Sequence, residues 1–310
     1  MQHPSVTRSR NTGVLALAVI APIWGYSWVV SKVALGYSGP FTLVALITVL
    51  CVAVLMPVLR LTGRSLRPPP AGWTIAIAVL QTALFNALVT LALTMGGAGK
   101  VSVLAYTMPF WLLLLAWPLL GERLRGFQWP AVALAFAGLV LVVQPWRIGG
   151  VLPGVLAAAA GLCWAGGSLL TKLLQQRAAV EPLSLTAWQM AFGAVPLIAA
   201  AVLTGDGWPQ WTAVFVGTLV YSVILSNALC WALWVFALHR LPAGAAGLGT
   251  LAVPVLGVSA AWLQLGEAPG AAEAGGMLLI IAALALLAVA GLGAGRGASG
   301  DGEPLPPVVD

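Results

Sequence analysis

A nine-residue pattern recurs half a chain later. Trp24-Gly25-Tyr26-Ser27-Trp28-Val29-Val30-Ser31-Lys32 is echoed by Trp164-Ala165-Gly166-Gly167-Ser168-Leu169-Leu170-Thr171-Lys172, with Trp, a Ser or Thr, and Lys in step at an offset of 140. Further on, Pro109 through Gly121-Glu122 is matched by Pro254 through Gly266-Glu267 at an offset of 145. If each copy holds five membrane spans, an odd number, the second copy enters the bilayer upside down relative to the first. Inverted repeats of this kind enclose a site near the bilayer midplane.

The membrane assignment follows from charge. Only 7% of the 310 residues are charged and 61% are hydrophobic, whereas a soluble domain carries about 25% charged residues. The chain therefore reads as an all-α polytopic membrane protein. Its net charge of +6 would suggest nucleic acid in a soluble protein, but here the basic residues sit in short loops and orient the chain. Cys51, Cys163 and Cys230 lie in apolar stretches without paired spacing and read as small buried hydrophobes. No cleavable leader is expected, because the first apolar run is full-length and continues into a second.

About twenty apolar residues cross the hydrocarbon core. That length gives ten spans, near 13–35, 40–60, 72–94, 98–120, 128–145, 152–173, 183–203, 211–237, 243–265 and 272–293. Residues 1–145 then form a first five-helix unit with a short amino-terminal tail, and 146–293 a second, inverted one. Residues 294–310 are expected to form a disordered tail, rich in Gly and Pro. With the amino terminus in the cytoplasm, eleven basic residues fall inside: Arg8, Arg10, Arg60, Arg64, Arg67, Arg123, Arg125, Lys172, Arg177, Arg240 and Arg296. Only Lys32, Lys100 and Arg147 fall outside. The bias places both termini in the cytoplasm. Trp73, Trp129, Trp146, Trp208, Trp211 and Trp262 lie near span ends, as in an interfacial belt.

Several polar and aromatic faces could line a solute path. Trp24, Ser27, Trp28, Ser31 and Lys32 share one helical face, and Trp164, Gly167, Ser168, Thr171 and Lys172 the equivalent one. Trp24 and Trp164 sit too deep for a belt and face either a cavity or another helix. Lys172 reads as snorkelling to the headgroups, and Lys100 as a solvated loop residue. Thr82, Asn86, Thr90 and Thr94 form a ridge that should avoid lipid. The threonines can bond back to the carbonyl four residues earlier; Asn86 needs partners, in a solute path or on a neighbouring helix. Asn227, Trp231 and Trp234 place an amide beside two indoles, as a platform for an amphipathic solute or as an aromatic core. Ser102, Tyr106 and Phe110 share a face close to Pro109, whose repeat equivalent is Pro254. Mid-span prolines kink helices and suit either a hinge or a fixed bend.

The sequence also lacks certain chemistry. No Asp or Glu lies in the middle of an expected span, so an embedded carboxylate as proton site is not expected. Two histidines cannot build a metal cluster, and no nucleophile–base pair or phosphate loop stands out, so neither metal, cofactor nor enzymatic activity is expected.

These features together resemble the drug/metabolite transporter superfamily, in its ten-helix EamA-type branch. The resemblance rests on the two repeats, the Trp…Lys pattern of spans 1 and 6, and the Pro…Gly-Glu stretches ending at Glu122 and Glu267. It covers about residues 13 to 293. Gly-Glu-Arg at 121–123 matches well, whereas Gly-Glu-Ala at 266–268 departs at its third position. The tryptophan-rich, acid-free interior is most similar to the YddG-type aromatic amino acid exporters. The resemblance implies an inner-membrane exporter of aromatic and other neutral amino acids, working as a monomer by alternating access. Spans 1, 3, 4, 6, 8 and 9 would line the cavity. Asn86 and Asn227 would bond the substrate's amino and carboxyl groups; Trp24, Tyr106, Trp164 and Trp231 would wall it; Pro109 and Pro254 would lie near the bends. An exporter of hydrophobic cations, held by cation–π contact, is the alternative substrate reading. A membrane-embedded enzyme or a structural subunit is the alternative from another class.

Overall fold

The computed structural model describes residues 4–121, 128–144 and 151–266, with 268, 270–272, 274–279, 281–283 and 286. Every regular element among them is helical, as apolar segments without water to satisfy their backbone must be. In order these are α1 (Pro4–Ala34), α2 (Pro40–Leu61), α3 (Ala71–Ile77), a π-helical segment (Ala78–Leu84) and α4 (Phe85–Met95). Next come α5 (Ala98–Ala105), α6 (Met108–Leu120), α7 (Gln128–Val143), α8 (Val151–Arg177) and α9 (Pro182–Thr204). After them follow α10 (Ala213–Val220), a second π-helical segment (Tyr221–Leu229), α11 (Cys230–Arg240), α12 (Ala243–Gly249) and α13 (Ala252–Leu265).

Eight of the resulting rods are long and apolar enough to span a membrane, and they coincide with expected spans 1–4 and 6–9. At the positions of the expected fifth and tenth spans the described residues hold shorter apolar helices, Trp129–Gly138 and Ala274–Ala283, below the length that crosses the hydrocarbon core. Glu122, Glu267, Trp146 and the tail 294–310 lie outside the described residues, as does the side chain of Lys100.

The sequence's start and stop signals operate as chemistry requires. Pro40 and Pro182 open α2 and α9 at the first-turn positions where a missing N–H costs nothing. Gly121 and Gly266 close α6 and α13 in the left-handed conformation, with φ of 69° and 70°. The expected fourth span breaks at Tyr106–Thr107 and the ninth at Thr250–Leu251. Pro109 and Pro254, just beyond the breaks, cannot donate to the carbonyls of Ala105 and Thr250 four residues back. Gly161 of α8 packs into the first break, where an added Cβ would lie 2.8 Å from both Ala105 O and Thr107 Oγ1.

Two contacts fix the relative direction of α2 and α9, which pack closely along their lengths. Asp206, just past the end of α9, accepts from Phe41 N (2.6 Å) and Thr42 N (3.1 Å) in the first turn of α2. Arg64, just past the end of α2, pairs with Glu181, the N-cap of α9. The two helices are therefore antiparallel. At the Asp206 end, Gln210 N also donates to Tyr37 O (2.8 Å); at the Arg64 end, the Arg177 guanidinium lies 4.9 Å over the Trp73 ring.

The paired lysines belong to the framework. Lys32 Nζ donates to Leu93 O (2.7 Å) and Gly96 O (2.8 Å), at the carboxyl end of α4. Lys172 Nζ donates to Leu238 O and Leu241 O, both at 2.6 Å, at the carboxyl end of α11. Each lysine thus binds carbonyls a helix end leaves unpaired. The expectation that Lys172 snorkels to the headgroups is corrected: nearby carbonyls within the protein satisfy the ammonium first.

Candidate functional site

Six aromatic rings meet at mid-depth. Trp164 of α8 is the hub: its ring centroid lies 5.2 Å from Trp24, 5.3 Å from Phe85, 5.2 Å from Tyr106, 5.9 Å from Trp231 and 5.6 Å from Trp234. Most pairs are edge-to-face, the arrangement ring quadrupoles favour. Trp24 Nε1 donates to Ser226 O in the second π segment (2.9 Å), tying α1 to that helix.

Above this cluster lies a cavity of about 90 Å³, room for several water-sized groups. It extends from the indoles to Leu35, Leu43 and Leu93, and so toward the Asp206 end. All six proposed solute-contacting residues line it: Trp24, Asn86, Tyr106, Trp164, Asn227 and Trp231. Pro109 and Pro254 do not; they are buried just past the helix breaks.

The two asparagines sit where the helices are widened. Asn86 Nδ2 donates to Thr82 O (2.7 Å) and Asn227 Nδ2 to Ser222 O (2.8 Å), both carbonyls of π-helical segments. π segments inside α-helices commonly mark functional sites. Asn86 was expected to need a partner elsewhere; its amide instead bonds its own backbone, at the carbonyl four residues back. A carbonyl partner also fixes each amide's orientation, leaving both Oδ1 atoms and one N–H apiece for a solute.

Charge is absent from the wall. Among the lining residues Tyr106 alone carries a titratable group; the remaining polar ones are Ser, Thr, Asn and indole N–H. Desolvating a net charge without a counter-ion is costly, so the cavity suits a net-neutral solute with donors, acceptors and apolar area. Lys32, one residue from the lining Ser31, spends its donors on α4.

Sequence reasoning missed α2. Leu43, Val44, Ile47 and Thr48 line the cavity, whereas no residue of α12 or α13 does, so the expected lining by the ninth span is corrected. Those α12 and α13 faces are buried against α1, α5 and α6 instead. Thr48, a polar residue inside an otherwise apolar run, was the available signal for α2.

The class that these features define is a multi-pass helical membrane protein with an uncharged central cavity. The sequence profile of the EamA-like transporter family matches residues 11–144 and again residues 152–289. The chain belongs to the EamA-like transporter family, whose members are transporters and not enzymes. It is 28% identical over 279 residues to the uncharacterized transporter YvbV of Bacillus subtilis, covering 88% of this chain and 90% of that one. It is also 28% identical over 288 residues to a probable amino-acid metabolite efflux pump of Escherichia coli, covering 89% and 94%. A solved structure described only as a crystal structure of a protein superposes with a TM-score of 0.72 over 91% of this chain and 97% of its own, at 22% identity. That likeness concerns the fold.

Proposed function

We propose that this transporter exports neutral amino acids, aromatic ones included, across the inner membrane by alternating access between two head-to-tail five-helix halves. The observation that carries the proposal is the gathering of all six candidate residues around one uncharged cavity. The antiparallel α2–α9 pair and the family profile's double match support the two-half arrangement. With both termini cytoplasmic, as the basic residues favour, the cavity of this structure faces outward. A zwitterion places its ammonium on the asparagine Oδ1 atoms and its carboxylate on the remaining N–H and hydroxyl donors, with its side chain against Trp24, Trp164 and Trp231. The similarity to the Escherichia coli protein described as a probable amino-acid metabolite efflux pump supports this substrate class.

Proteoliposomes loaded with labelled phenylalanine, methionine or threonine test the reading, with tetraphenylphosphonium in a parallel arm. Protein-dependent flux of an amino acid is expected; flux of the cation alone would replace the substrate assignment. A hydrogen bond to a charged group contributes about 1.5–3 kcal/mol, so Asn86→Ala and Asn227→Ala should each raise KM roughly 10- to 150-fold. Unchanged kinetics in both variants would remove them from the site.

A further inference from the structure

Buried polar groups without partners are rare in native structures and call for an explanation. Among the described residues eight such side-chain atoms occur: Trp28 Nε1, Gln81 Oε1, Thr82 Oγ1, Trp164 Nε1, Gln175 Oε1, Trp188 Nε1 and both amide atoms of Gln189. Their positions follow a pattern set by the internal repeat.

Three registers relate the halves. Lys32 and Lys172 set α1 against α8 at 140, the first-turn prolines Pro40 and Pro182 set α2 against α9 at 142, and the lysine-bound carbonyls of Leu93 and Leu238 set α4 against α11 at 145. These registers carry the cavity-lining Leu35 to Gln175, Ile47 to Gln189, Ser226 to Gln81, Asn227 to Thr82 and Trp24 to Trp164. Five of the eight orphaned atoms belong to Gln81, Thr82, Gln175 and Gln189, which do not line the open cavity, and a sixth to Trp164, which borders it. The cavity's image in the other half is thus where unsatisfied polarity concentrates.

That image is closed here. Gln81, Thr82 and Gln189 have no exposed surface. Gln81 Nε2 donates to Ser168 Oγ (2.9 Å), which also accepts from Trp234 Nε1 (3.3 Å), so α8, the first π segment and α11 are stapled together below the aromatic cluster. Thr82 is packed against Gly193, one turn beyond Gln189, where an added Cβ would fall 2.5 Å from Thr82 Cβ. The indoles show the same asymmetry. Trp24 Nε1 is bonded to Ser226 O, whereas Trp164 Nε1 is unbonded, and the counterpart acceptor is Gln81 O.

We propose that Gln81, Thr82, Gln175 and Gln189 line a second vestibule, shut in this structure, which opens toward the Arg64 end and takes the same net-neutral zwitterion as the open cavity. When it opens, the amides are hydrated or bonded to solute, and Trp164 donates to Gln81 O while Trp24 releases Ser226 O. The proposal rests on the alternating-access reading above for its solute, but the vestibule itself is tested without measuring transport.

Gln189→Cys, with Gln81→Cys as second variant, is made in a full-length background in which Cys51, Cys163 and Cys230 are changed to Ala. Inverted and right-side-out membrane vesicles are treated with a membrane-impermeant maleimide, with labelled phenylalanine present so that the carrier cycles. Ala187→Cys, fully buried two residues away and outside the image of the cavity, is the reference. Labelling of Gln189→Cys or Gln81→Cys from the Arg64 side at least tenfold faster than Ala187→Cys is expected, with Ile47→Cys labelled from the opposite side. Rates equal to Ala187→Cys for both variants overturn the vestibule, whatever the flux. Fast labelling without phenylalanine movement keeps the vestibule and removes the substrate assignment.

Discussion

Lys32→Met preserves the apolar stem and removes the three donors. Two carbonyls lose their partner, Leu93 O at 2.7 Å and Gly96 O at 2.8 Å. A hydrogen bond from a charged group contributes about 1.5–3 kcal/mol. Lys32 is only half-buried, so solvent screening and replacement by water reduce each bond by roughly half. The charge at a helix carboxyl end adds about 0.3–1 kcal/mol before screening. The sum is about 2–3 kcal/mol, or a fall in Tm of roughly 3–5 °C for a chain of 310 residues. Reversible unfolding in mixed micelles of mild detergent and dodecyl sulfate measures it. Lys172→Met, which strips the corresponding pair of carbonyls on α11, should cost a similar amount. The two losses should add within about 0.5 kcal/mol, since the lysines serve different helices. A Lys32→Met loss under about 0.5 kcal/mol, the range of an ordinary surface change, would refute the clip and return the lysine to a headgroup contact.

Other outcomes follow from single contacts. Asp206→Ala strips the cap from α2 and should cost about 1–2 kcal/mol in the same unfolding assay, with Asp206→Asn recovering most of it. Gly193→Ala forces a methyl group to within 2.5 Å of Thr82 Cβ and should destabilise by about 1–3 kcal/mol through overpacking; an unchanged midpoint would contradict that packing. Because no carboxylate or imidazole lines the cavity, KM for phenylalanine without a pH gradient should vary less than about twofold between pH 6 and 8, whereas a titrating wall group would give up to tenfold per unit.

Much of this was legible in the residues, because each legible feature had a local signature. Trp24 and Trp164 stood too deep for a belt, the asparagines were amides in apolar runs, and Pro109 and Pro254 marked breaks that occur within three or four residues of them. What was not legible depended on tertiary choice. Leu43, Val44 and Ile47 look the same facing a cavity or facing lipid. A lysine near a span end suits headgroups or carbonyls equally well, and only the neighbouring helix end decides. The π segments have no composition that separates them from α-helix, so the Asn227 bond to the carbonyl five residues back could not be foreseen. Asp206 reads as an exposed loop acid until α2 is seen to begin beside it.

The exchange of caps between α2 and α9 bears on how the chain can be divided. The first turn of α2 relies on a carboxylate supplied after α9, and the ion pair at the start of α9 relies on a guanidinium supplied after α2. A gene split between codons 144 and 151 should therefore yield fragments that proteases clear when either is made alone, yet accumulate together when co-expressed. The reciprocity makes the two portions obligate companions, each finishing a helix that the other begins.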